Sequence, residues 1–317
     1  MPCTKGESMN PYPFHLVDSH KDGVINARKI LKNRPLSKQS RSFEKDAALF
    51  VPGDELDIAI NTAISVGEPL LITGEPGTGK TQTAYYIAYK LNIGPVIDFH
   101  VKSDSTAKDL LYYFDTVRYF HDAHLRRNEQ LPDKSEYIEK RAMWEAFESD
   151  YTRVILIDEI DKAPRDFPND LLYELDQMEF KILETQKKVK GKKENPPIIV
   201  ITSNSERRLP EPFLRRCVYH HIEFSEEIVN VAVKKRKKEF PNLSDDFLEM
   251  AIDRFLSLRE IVVRKPPTTS ELLVWLRVLG LNADKYSTYL DDKLSELPYL
   301  GALIKDHQEL EDLKQRS

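Results

Sequence analysis

Residues 74–81 read Gly-Glu-Pro-Gly-Thr-Gly-Lys-Thr and meet G-x-x-x-x-G-K-[ST] at every fixed position. The flanks constrain the fold as much as the motif does. Pro69-Leu70-Leu71-Ile72-Thr73 before it is a short apolar run of the kind buried in a parallel sheet. After it, Ala84, Ile87, Ala88 and Leu91 recur at helical spacing between Thr81 and Leu91. Strand, glycine loop and helix together aim backbone N–H groups and a helix N-terminus at phosphate oxygens. Gly74, Glu75, Pro76, Gly77, Thr78, Gly79, Lys80 and Thr81 are therefore the candidate cradle. Lys80 is placed to reach the β- and γ-phosphates, and the Thr81 hydroxyl to ligate Mg²⁺.

Upstream, residues 1–45 read as a partly flexible leader, interrupted by Pro2, Pro11, Pro13 and Pro35, with a short helix possible over Val24–Lys32. Asp54 to Val66 has the spacing of a buried helix. Its position suits one wall of a base pocket, but no residue is singled out as touching a base. Downstream, 95–101 reads as a second strand, with Ser105 or Thr106 as the cap of a helix over Lys108–Arg118. Tyr119–Lys134 reads as an irregular polar insertion, followed by a helix over Ser135–Glu148.

Val154-Ile155-Leu156-Ile157 is a third apolar run, and it ends in Asp158-Glu159-Ile160-Asp161. Carboxylates at the carboxyl end of a buried parallel strand lie in the crevice where such sheets bind ligands. Asp158 is the candidate Mg²⁺ ligand, and Glu159 the group that orients the attacking water; the bland alternative is a helix-capping acidic cluster. A helix over Asp166–Glu179 and a hairpin over Lys181–Pro197 come next. The latter's Gly turn carries a basic tip within Gln186–Lys193, read as a solvated loop or a partner contact. A fourth strand, Ile198–Thr202, ends in Ser203-Asn204. Asn204 is a turn residue or a hydrogen-bond donor to the γ-phosphate or water. Arg215 and Arg216 follow a short helix, as structural ion pairs or as arginines acting on a neighbouring subunit's nucleotide. Val218–Phe224 reads as a fifth strand.

Beyond Phe224 the strand signals stop. Helices are expected over Glu226–Phe240, Ser244–Leu258, Thr269–Leu281 and Gly301–Lys314. Lys234-Lys235-Arg236-Lys237-Lys238 lies in the first, as a solvated face or a nucleic-acid contact. The expected fold is α/β, with a leader over 1–45, a nucleotide-binding domain with a parallel sheet flanked by helices over 46–225, and an all-α domain over 226–317. A net charge of -5 gives no global reason to expect nucleic-acid binding. Two cysteines, Cys3 and Cys217, imply no disulfide framework and suit a reducing, cytoplasmic setting. No apolar run approaches the roughly 20 residues of a membrane helix.

Gly74–Thr81, Leu156–Pro164, Thr202–Ser205 and Leu209–Cys217 occur in the order of an AAA+ ATPase, and together resemble the MoxR group. The blocks Asp-Glu-Ile-Asp-Lys-Ala-Pro and Leu-Pro-Glu-x-x-Leu-Arg-Arg-Cys carry that likeness, which runs from about Phe50 to Leu281. The resemblance implies a P-loop AAA+ core with a C-terminal helical lid, and ATP and Mg²⁺ as cofactors. It places Gly74–Thr81 as Walker A, Asp158 and Glu159 as Walker B, Asn204 as sensor 1 and Arg216 as the arginine finger with Arg215 beside it. It also implies a ring, usually a hexamer, that remodels, assembles or activates a partner protein, often one with a von Willebrand A domain. No arginine stands where sensor 2 belongs, near 265–271; Arg264, Lys265 or Arg277 could substitute. A nucleic-acid-associated motor or restriction subunit, and a nucleotide-gated scaffold, are the competing readings. No residue pattern names a client.

Overall fold

The computed structural model describes residues 43–125, 131–281, 290 and 293–315. The leader helix expected over Val24–Lys32 lies outside them. The chain divides into two compact units, one spanning Phe43–Phe224 and the other holding the residues from Ser225 onward.

In the first unit, α1 (Phe43–Ala47) and α2 (Asp54–Val66) precede β1 (Leu70–Gly74), α3 (Lys80–Leu91) and β2 (Ile97–His100). Further along come β5 (Val154–Asp158), β8 (Ile198–Ser203), α9 (Glu211–Leu214) and β9 (Val218–Ile222), with β3, β4, β6 and β7 in two separate two-stranded sheets described below. The five-stranded sheet has the order β2-β5-β8-β1-β9, and every pair is parallel. Its central strands are contiguous apolar runs because both faces are covered. One face carries Leu71, Ile155, Ile157 and Ile201 against Met143, Phe147, Phe167 and Phe213. The other carries Leu70, Ile72, Leu156 and Val200 against Leu56, Ile60, Ala84 and Ile87. The edge strand β9 is polar at Tyr219, His220 and His221 and is buried only at Ile222.

Between the strands, tertiary contacts override helical spacing. The helix expected over Lys108–Arg118 is α4 (Ala107–Leu111), then β3 (Tyr112–Phe114), then the start of α5 (Thr116–Leu125). Thr106 caps α4 through a box with Asp109. Tyr112 is buried, its ring stacked on Phe180 at 6.2 Å, and its hydroxyl accepts the Leu183 N–H at 3.0 Å. That contact holds the chain extended, and β3 pairs antiparallel with β4 (Ile138–Lys140). The expected helix over Ser135–Glu148 is consequently a 3-10 turn at Lys134–Tyr137, then β4, then α6 (Ala142–Glu148). Within the expected irregular insertion, residues up to Leu125 are helical, anchored by Tyr137 donating to Asp122 at 2.7 Å. The helix expected over Asp166–Glu179 is broken into α7 (Phe167–Asp170) and α8 (Leu172–Gln177). The hairpin pairs β6 (Glu179–Lys181) with β7 (Lys188–Lys190), so the turn spans 182–187. Gly191 and the basic run from Lys188 onward therefore lie on and beyond the return strand, and only Gln186 and Lys187 lie in the turn. Lys188 and Lys190 both pair with Glu179, at 3.0 and 2.9 Å, and Lys192 pairs with Asp150 at 2.5 Å.

The second unit is a mostly helical, lid-type region of α10 (Glu226–Lys235), α11 (Asp245–Ile261), α12 (Thr269–Gly280), α13 (Leu300–Leu303) and α14 (His307–Gln315). Ser225 and Ser244 cap α10 and α11 by accepting the N–H groups of Ile228 and Phe247, and Thr268 caps α12 in a box with Glu271. Phe255, Leu258, Leu272, Trp275 and Leu276 are fully buried, and the Trp275 indole donates to Pro298 O at 2.7 Å. The basic run 234–238 does not form one helical face: α10 stops at Lys235, Arg236 turns onto Glu239 at 2.9 Å and Lys237 pairs with Asp245. Among the described residues, no helix is long and apolar enough to cross a membrane.

Candidate active site

The strand order decides the site. β8 lies between β5 and β1, so the carboxyl ends of all three are neighbours: Asp158, Ser203 and Gly74. From Gly74 the loop passes through exposed Glu75, Pro76 and Gly77 and half-buried Thr78, whose hydroxyl donates to Glu75 O at 2.8 Å. Two glycines are sterically required. A Cβ at Gly74 would stand 2.7 Å from Ile222 O, and one at Gly79, where φ is +99°, would stand 2.6 Å from Phe50 Cε2. Lys80 opens α3 and is 6% exposed. Its Nζ donates to Gly74 O and Glu75 O, each at 2.9 Å, and so braces the loop from inside. Burial pulls its pKa below the usual lysine value, against the opposing charges of Asp158, Asp161, Glu159 and Glu75.

Thr81 Oγ1 donates to Asp158 Oδ1 at 2.9 Å, joining the glycine loop to the acidic strand end. The same Oδ1 accepts Thr202 Oγ1 at 2.7 Å, and Oδ2 lies 3.3 Å from His100 Nδ1. Glu159 has a φ of +61°, a left-handed conformation rare for a residue with a side chain. Its N–H donates to Thr202 Oγ1 at 2.9 Å, which helps hold that turn. Glu159 Oε1 accepts Asn204 Nδ2 at 3.2 Å, and Oε2 pairs with Lys162. The two loops thus bring together Lys80, Thr81, Asp158, Glu159 and Asn204.

Arg216 is bound within its own chain: Nε donates to the Asp176 carboxylate at 2.8 and 3.0 Å, and Nη1 to Pro212 O at 2.9 Å. Arg215, the last residue of the same turn, is exposed; its backbone N–H donates to Glu211 O at 3.1 Å, but its guanidinium makes no hydrogen bond or ion pair among the described residues. Of the three sensor 2 substitutes, Arg277 pairs with Glu239 inside the helical unit, whereas Arg264 and Lys265 are exposed. Sequence reasoning missed His100, Thr202, Asp161 and Lys162. His100 faces Asp158 because β2 pairs with β5 in the register His100↔Asp158, which only strand order reveals. Thr202 and Asp161 were visible as polar residues at the ends of apolar runs, but their partners lie some 40 residues away in sequence.

The donor set suits a magnesium nucleotide. Thr81 and Asp158 offer a hydroxyl and a carboxylate 2.9 Å apart, the hard oxygens Mg²⁺ prefers. Among the described residues no group of three or more His, Cys, Asp or Glu is arranged to hold a metal by itself. A Mg²⁺ shared with substrate phosphates needs only one or two protein ligands.

Residues 69–217 match the family model of the AAA domain, dynein-related subfamily. No curated protein matches the chain in sequence. Among solved structures, a putative ATPase from Cytophaga hutchinsonii is 15% identical over 87% of this chain and 93% of its own, with a TM-score of 0.40. RuvB from Thermotoga maritima is 15% identical over 73% of each chain, with a TM-score of 0.41. NtrX from Brucella abortus, in complex with ADP, is 16% identical over 84% of this chain and 61% of its own, with a TM-score of 0.46. The matched segment begins just before β1 and ends just after Arg216, so it spans the glycine loop, the acidic strand end, Asn204 and both arginines. Residues 69–217 form an AAA+ ATPase domain, and the chain is an ATP-hydrolysing enzyme.

Proposed function

We propose that this chain hydrolyses MgATP in a ring of identical subunits and uses the cycle to act on a macromolecular partner. The observation that carries the reading is the convergence of Lys80, Thr81, Asp158, Glu159 and Asn204 at adjacent strand ends. In this reading the loop 74–81 and Lys80 hold the phosphates, and Thr81 and Asp158 hold Mg²⁺, which supplies charge neutralisation at the phosphoryl oxygens. Glu159 orients the attacking water and accepts its proton, while Asn204 sets the direction of that carboxylate. No arginine is found within this set, and Arg215 stands exposed after a short helix. A neighbouring subunit's Arg215 is therefore assigned to complete the site, with Arg216 bracing the turn through Asp176.

The partner class follows from two separate supports. The blocks Asp158–Pro164 and Leu209–Cys217 resemble the MoxR group, which favours remodelling or activation of a protein partner, including one with a von Willebrand A domain, by a hexameric assembly. Lys187 and Lys193 flank the hairpin's return strand without an ion pair among the described residues, which favours a nucleic-acid-associated NTPase. Turnover with and without DNA across a salt series separates the two: stimulation that falls steeply with salt supports the second. Lys80→Ala abolishes nucleotide binding, and Glu159→Gln keeps binding while trapping an ATP-bound assembly. Tight ATP binding by the first variant, or wild-type turnover by the second, sinks the site assignment. Capture of a partner by Glu159→Gln in ATP, identified against an ADP control, names the partner class.

A further inference from the structure

The geometry points to Asp161 as a positioning residue that holds the Asn204 loop against Glu159. The inference rests on the reading of Glu159 and Asn204 as the hydrolytic pair. Asp161 lies in the turn after β5 and is only 2% exposed. Neither of its oxygens serves its own turn: Oδ1 accepts the Asn204 N–H at 3.2 Å and Oδ2 the Glu206 N–H at 2.9 Å. A buried carboxylate is costly unless hydrogen-bonded, and charge-assisted bonds are the strong ones. Here both bonds go to the segment that carries Asn204. Between the two donors, Ser205 is left-handed at φ +61°, a conformation that survives only where its surroundings over-determine it. Arg207 Nη1, donating to Ala163 O at 3.2 Å, ties the same two segments from outside.

The consequence is directional. With both Asn204 N and Glu206 N anchored on one carboxylate, the Asn204 side chain is aimed back at Glu159 and its Nδ2 reaches Oε1 at 3.2 Å. Releasing either tether lets Ser205 relax and turns the amide away. Glu159 then keeps its Lys162 partner but loses the contact that sets its free lone pairs. Nucleotide binding is untouched by this route, since Lys80 is held by Gly74 O and Glu75 O and Thr81 by Asp158.

The test is a double-mutant cycle in the full-length chain, read in kcat and KM for ATP and checked by thermal unfolding. Asp161→Asn retains the shape and one acceptor, and lowers kcat about tenfold, the factor for losing one hydrogen bond to a charged group. KM and the melting temperature stay close to wild type. Asn204→Ala lowers kcat comparably, and the double variant is no slower than the worse single one, because both changes break one connection. Multiplying losses, an unchanged kcat in Asp161→Asn, or a loss confined to KM overturns the assignment. If Asp161→Asn does not fold, Arg207→Ala loosens the same tie from an exposed position and shows a smaller kcat loss that is likewise non-additive with Asn204→Ala; additivity there refutes the proposal. Glu159→Gln run in parallel keeps the two readings apart. Its retained turnover would remove Glu159 as the base, whereas the cycle between positions 161 and 204 still reports whether they act as one.

Discussion

Gly79→Ala is the sharpest probe of the loop. Gly79 has φ +99° and ψ +15°, and an added Cβ would stand 2.6 Å from Phe50 Cε2. The left-handed conformation costs an L-residue about 1–2 kcal/mol. Forcing a methyl into a filled space adds about 1–3 kcal/mol. Phe50 cannot swing away freely, because its ring packs edge-on against Tyr86 at 5.5 Å. Taking about 3 kcal/mol as the centre, the melting temperature falls by roughly 6–12 °C for a unit of this size. Because Gly79 stands immediately before Lys80, any backbone shift also displaces the phosphate-facing N–H groups, and ATP affinity falls at least about tenfold. The assay is thermal unfolding with and without MgATP, combined with equilibrium binding of a fluorescent ATP analogue. A cycle with Phe50→Ala separates the causes: the steric share is relieved in the double variant and the conformational share remains. Gly79→Ala that melts within about 1 °C of wild type and binds ATP normally refutes both the backbone assignment and the Phe50 contact.

Arg215→Ala should leave nucleotide binding intact and stop hydrolysis, while Arg216→Ala mainly frees Asp176 and lowers stability; mixing Arg215→Ala with Lys80→Ala subunits should restore partial turnover, and its absence would refute action in trans. Lys190, Lys188 and Tyr173 hold the Glu179 carboxyl at about 2, below the carboxylate value of 4.5. The sign follows: this support for the hairpin is complete above about pH 4.5 and is lost as pH falls through about 2. A carboxyl-carbon NMR titration of Glu179 with a midpoint near 4.5 would contradict it. Burial pushes the Cys217 thiol up to about 12, with the Glu68 charge adding. In a Cys3→Ser variant at pH 8, alkylation should be at least about a hundredfold slower in the native than in the urea-unfolded chain; equal rates would place Cys217 outside the core.

Much of the core was legible because its residues carry redundant information. Asp54–Val66 is the helix its spacing predicts, and the apolar runs before Gly74, Asp158 and Asn204 are strands. Each run is apolar on both faces, a pattern imposed by burial from two sides. The segment 108–148 departs from its helical spacing for the opposite reason. Tyr112 and its neighbours tolerate either state locally, and the stack on Phe180, more than sixty residues away, makes them a strand. The sequence predicts the hairpin, but its glycine marks position 191 as the reversal point. Register moves the reversal to 182–187 and makes Glu179 a partner for both return-strand lysines.

Contiguous residues suffice to put a phosphate loop between a buried strand and a helix, and carboxylates and an amide at the ends of two further buried strands. These are local facts, written in contiguous residues. Strand order, which no contiguous stretch encodes, puts β8 between β1 and β5, so that Asn204 meets Glu159 and Thr81 meets Asp158, and pairs β2 with β5, which sets His100 beside Asp158. The tertiary fold separates the two arginines, tying Arg216 to Asp176 and leaving Arg215 exposed. Asp161 is a case of the same kind, since a carboxylate's hydrogen-bond partners depend on which backbone donors the sheet order brings within reach, here Asn204 N at 3.2 Å and Glu206 N at 2.9 Å.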